Sequence, residues 1–124
     1  MDENNSVSLR FDSSGILYLT IEVMNGNGSA YQHVEFIVDT GFNGFFQLDK
    51  ESANSLGFSA TSTTVTRGFD NVEKEVGSVK GNVKLQGLVA TDVPIHIVEN
   101  GNKLVGTAFF AMAKTRLVID YNTK

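Results

Sequence analysis

Apolar and polar residues alternate along much of this chain, and short runs of glycine, asparagine and aspartate interrupt the alternation. A period of two marks a strand with one buried face, whereas an amphipathic helix repeats every 3.6 residues. Val7, Leu9 and Phe11 alternate with Ser8, Arg10 and Asp12, which predicts a half-buried strand. Asp12-Ser13-Ser14-Gly15 is a turn by composition. A second strand is expected over Ile16 to Met24, with Leu17, Leu19, Ile21 and Val23 on one face. Asn25-Gly26-Asn27-Gly28-Ser29 holds two Asn-Gly steps that tolerate positive φ, so the chain is expected to return along about Tyr31 to Val38. Gly26 and Gly28 do not make a phosphate-binding loop, because that motif opens a helix and here strand patterns lie on both sides.

Phe36-Ile37-Val38 reads as a buried strand that runs into the turn Asp39-Thr40-Gly41-Phe42-Asn43-Gly44. Phe45 to Leu48 is a short apolar strand; Asp49 is placed to cap a brief helix that stops at Gly57. Thr61 to Arg67 and Glu75 to Gln86 predict a long hairpin with the polar tip Gly68-Phe69-Asp70-Asn71. The hairpin is either a flap or an ordinary hairpin with an exposed phenylalanine. Val93, Ile95 and Ile97 form another strand, in which Pro94 suggests a sheet edge or a strand start. Leu104-Val105-Gly106 is a short buried strand ending in glycine. Thr107 is expected to cap a helix over Ala108 to Lys114, and Arg116 to Tyr121 closes the chain as a strand. The sum is mainly β, a small barrel-like sandwich with two short helices.

Composition narrows the chemistry more than the fold. At 124 residues the chain suits one domain, taken as residues 7–124 after a flexible tail of residues 1–6. A net charge of −4 leaves no basic footprint for nucleic acid. The absence of cysteine removes disulfides, thiolate metal sites and thiol catalysis together. His33 and His96 both sit mid-strand without ligand spacing, so no metal is expected. No apolar run approaches the roughly 18 residues of a membrane span, and the acidic start is unlike a secretory leader. A soluble, cytoplasmic protein is the expectation.

The carboxylates remain. Asp39 stands apart because it ends a strongly apolar strand and is followed at once by Thr40 and Gly41. A charge delivered there is partly desolvated, which is costly unless it has hydrogen bonds or a task. Glycine beside it allows a close backbone approach.

Asp39-Thr40-Gly41 after Phe36-Ile37-Val38 resembles the active-site turn of aspartic proteases. Leu104-Val105-Gly106, followed by a helix and Leu117-Val118-Ile119-Asp120-Tyr121, resembles the second signature of the single-domain, retropepsin-like branch, and Phe42-Asn43-Gly44 looks most like its bacterial members. The order of elements fits from about Val7 to Tyr121.

The resemblance implies a closed, barrel-like acid-protease half with a flap hairpin. It implies an aspartic endopeptidase that uses water and needs no cofactor. Asp39, Thr40 and Gly41 would be catalytic, and Leu104, Val105 and Gly106 would brace their loop. Phe42, Asn43, Gly68, Phe69 and Asp70 would meet an extended peptide substrate. That mechanism needs two carboxylates sharing one proton, which drives the apparent pKa values of the pair apart. Only one Asp-Thr-Gly is present, so a symmetric homodimer would supply the second. Two further readings stay open: a peptide-binding or scaffolding module on the same fold, and a plain turn in an unrelated β domain.

Overall fold

The computed structural model describes residues 8–67 and 72–113. They form the strands β1 (Leu9–Phe11), β2 (Leu17–Met24), β3 (Tyr31–Val38), β4 (Phe46–Asp49), β5 (Ser62–Arg67), β6 (Glu73–Leu85), β7 (Leu88–Val98) and β8 (Leu104–Val105). Two short helices join them, α1 (Lys50–Ser55) and α2 (Thr107–Met112). The strands make one sheet in the order β1-β2-β3-β8-β4-β7-β6-β5, and an added pairing of β2 with β6 bends it into a ring.

β2 shows why the alternation was legible. Leu17, Leu19, Ile21 and Val23 are buried and the residues between them are half-exposed. Of these, Leu19, Ile21 and Val23 meet Phe36, Phe46, Leu48, Val83, Ile95, Val105 and Phe109 in a single core inside the ring. Phe36 packs on Phe46 with ring centroids 5.0 Å apart, and Phe46 packs on Phe109 at the same distance. One aromatic file therefore joins β3, β4 and α2.

α1 forms as its sequence predicts. Asp49 accepts a hydrogen bond from the Ser52 amide at 3.1 Å, and Gly57 takes the positive φ of +82° that ends the helix. The β2–β3 turn docks on this end: the Gly26 amide donates to the Leu56 carbonyl at 2.8 Å. A Cβ on Gly26 would run into the Gly57 carbonyl, so the close approach requires glycine there.

Four expectations change. β1 is exposed rather than half-buried, with Leu9 at 50% and Phe11 at 43%, because among the described residues it pairs with β2 alone and lies outside the ring. It is tied down by charge instead: Arg10 makes a forked ion pair with Glu35 at 2.6 and 2.8 Å and lies over the Tyr18 ring. β7 starts at Leu88, earlier than its alternation suggests. A bulge between Gly81 and Val83 and the positive φ of Asp92 interrupt the period of two there.

Pro94 lies inside β7 in the middle of the sheet. β4 begins to pair with β7 only at Ile95, so at Pro94 that flank of the strand has no ladder to break. Thr107 is the first residue of α2 rather than its cap; Gly106 holds the cap position and makes no side-chain bond. The hairpin tip Gly68 to Asn71 and the closing strand expected over Arg116 to Tyr121 lie outside the described residues.

Candidate active site

Asp39 follows directly on β3, and β8 runs parallel beside that strand end, pairing Ile37 with Leu104 and Val38 with Val105. The Asp39 amide donates to the Val105 carbonyl at 3.1 Å. The turn then closes on itself. The Phe42 amide donates to the Asp39 carbonyl at 3.1 Å, and the Asp39 Oδ1 accepts from the Gly41 amide at 2.9 Å. Asp39 is half-buried, Thr40 and Gly41 are exposed, and Asp39 makes no ion pair among the described residues.

The start of α2 secures the far side of the turn. An isolated helix leaves its first amides without partners. Here the Gly106 amide donates to Phe45 at 3.0 Å, Thr107 to Phe42 at 3.0 Å and Ala108 to Gly44 at 3.2 Å, all through main-chain carbonyls. The carbonyls of Phe42 and Gly44 thereby satisfy the first two donors of the helix and hold the second half of the loop against α2. A Cβ on Gly106 would run into the carbonyl oxygens of Gly44 and Phe42. The structure thus places Leu104, Val105 and Gly106 beside the Asp39 turn, with Leu104 and Val105 paired to the end of β3 and Gly106 bonded to Phe45.

The half-buried Phe42 ring fills the space that Gly44 and Gly106 leave by lacking side chains. Its other neighbour is His96 of β7, in edge contact with centroids 5.8 Å apart and planes at 73°. Burial pushes the His96 imidazole below its ordinary pKa. This contact escaped sequence reasoning, since nothing in the local pattern of β7 points to the Asp39 turn. Asn43 is exposed on the same loop, while Gly68, Phe69 and Asp70 lie outside the described residues.

A large concave site in the single chain is elsewhere. A cavity of about 740 Å³ lies between α1 and the β6 and β7 strands, lined by Lys50, Phe58, Lys74, Gly77, Ile97 and Glu99 among others, with no residue of the Asp39 turn. What the turn itself offers is one oriented carboxylate at the surface. It can take a proton from water, but it cannot at the same moment donate one.

The ring-like sheet, with the Asp-Thr-Gly turn at the end of β3 and β8 and α2 beside it, has the retropepsin-like fold. The pattern of the aspartyl protease family matches residues 19–109, and the chain belongs to that family. The fold is similar to the crystal structure of a retropepsin-like aspartic protease from Rickettsia conorii, with a TM-score of 0.59 and 22% identity over 86% of this chain and 82% of that one. No curated protein sequence matches the chain.

Proposed function

We propose that this protein is an aspartic endopeptidase that works as a symmetric homodimer, with Asp39 of each subunit facing the other across the two-fold axis. The observation that carries this is the single Asp-Thr-Gly turn, bonded to β8 and α2 yet holding only one carboxylate. Membership of the aspartyl protease family supports the reaction class.

Hydrolysis then needs one carboxylate to draw a proton from water as it attacks the scissile carbonyl. The other donates a proton to the carbonyl oxygen; the resulting diol then collapses as the first carboxyl passes its proton to the amide nitrogen and the second takes a hydroxyl proton back, which breaks the C–N bond and releases acid and amine. Two like charges at close range cannot both ionise freely, so the pair shares one proton in the resting state. Exposed Thr40 and Gly41 are available to meet their counterparts in the second copy. Phe42 and Asn43 would meet an extended peptide, recognised through its main chain.

The test is cleavage of a peptide library at about pH 4 to 6, where a shared proton between carboxylates is expected. Asp39→Asn should lower the rate by about a thousandfold. Equal cleavage by the wild type and Asp39→Asn would overturn the reading, as would a strictly monomeric protein that retains activity.

A further inference from the structure

We infer that His96 is a positioning residue for this site: its ring backs Phe42 and so holds the Asp39 turn in place against α2. The inference rests on the endopeptidase reading above and adds a residue that neither motif contains.

The argument starts from what Phe42 is asked to hold. Its amide closes the turn on the Asp39 carbonyl, and its own carbonyl accepts from the Thr107 amide at 3.0 Å and from Thr107 Oγ1 at 3.5 Å. The peptide units on either side of Phe42 therefore tie the carboxylate-bearing residue to the start of α2. A shift of the Phe42 side chain moves both links.

Glycines at 44 and 106 leave the ring room on one side but offer it no side chain to pack against. His96 supplies that packing from β7, edge to face at 5.8 Å. Edge-to-face aromatic pairs prefer a definite geometry, which an aliphatic contact lacks. The partners of His96 across the sheet also favour this role. It lies opposite Gln47 of β4 and Ser78 of β6, on the same face. Gln47 is already committed, donating through Nε2 to the Asn102 carbonyl at 3.0 Å. His96 is half-buried at this spot, in edge contact with the Phe42 ring.

The test compares the full-length chain with His96→Leu, which loses the aromatic edge, and His96→Phe, which restores one. His96→Leu should lose about tenfold in kcat with KM within about twofold, because misplacing a reacting group costs rate more than binding. His96→Phe should stay within about threefold of wild type by the same reasoning. Amide exchange at Phe42 and Thr107 should quicken in His96→Leu and not in His96→Phe. Unchanged kcat in His96→Leu, or equal losses in both variants that track a fall in Tm, would overturn the proposal. Should the wild type prove inactive, the endopeptidase reading falls alone, and the exchange at Phe42 and Thr107 still decides whether His96 holds the turn.

Discussion

The Asp39 amide and the Val105 carbonyl, 3.1 Å apart, form the rung that follows the β3–β8 ladder. The carboxylate is therefore placed by a strand that arrives late in the chain and parallel to the one that carries it. Parallel neighbours cannot be joined by a tight turn, so this rung joins segments separated by the intervening hairpin, helix and strands. The same late segment continues into α2, whose first amides clasp the loop. Placement of Asp39 is thus a property of the whole domain.

Gly106→Ala should be the most damaging small substitution near the site. The added methyl would meet two carbonyl oxygens and the Phe42 ring. Overpacking of this kind costs about 3 kcal/mol. Denaturant unfolding should show that loss. Gly87→Ala, where a Cβ meets nothing, should be near neutral and serves as the control.

Phe46 is the middle of the aromatic file between β3 and α2 and is 1% exposed. Phe46→Ala should cost about 3 to 5 kcal/mol, the usual price of truncating a buried phenylalanine. A midpoint in denaturant within error of wild type would show that the file does not support the core.

Asp49 caps α1, and loss of an N-cap costs about 1 kcal/mol. Hydrogen bonding from Ser52 holds its carboxyl below the ordinary aspartate pKa, and the backbone amide of Ile16 does the same for Asp12. A carboxylate with a depressed folded pKa adds stability that is present above the unfolded value, near 4, and is lost as pH falls through the folded value. Tm should therefore drop on acidification below about pH 4, and less steeply in Asp49→Ala.

His96 acts in a different window. Its folded pKa lies below the unfolded one because burial disfavours the charged ring. The unfolded chain therefore takes up the proton first. Stability is full above about pH 6.5 and declines as pH falls below it. A Tm series from about pH 7.5 to 5 should slope in the wild type and flatten in His96→Phe. An unaltered slope would show that another group titrates there.

Much of the fold was legible because half-buried strands repeat every second residue. β2, β3 and the caps of α1 lie where local pattern places them, since Leu17 to Val23 need one common face and Asp49 needs only its own helix. β7 was cut short because a bulge and Asp92 break the period, and Pro94 misled because its position in the sheet depends on where β4 begins. Thr107 looked like a cap, yet it is the first helical residue, and its amide and its hydroxyl both donate to the Phe42 carbonyl.

The same division runs through the site. By itself the sequence determined that one carboxylate stands at the end of an apolar strand with no competing chemistry; that Leu104-Val105-Gly106 is its companion came from the resemblance to aspartic proteases. Both are local: a run of apolar residues, a turn, a glycine. Only the tertiary structure decided how they meet, and that Phe42 packs on His96. Parallel pairing, the capping of a helix by a distant loop and a ring-on-ring contact all join segments far apart in the chain, and local periodicity carries no information about such partners.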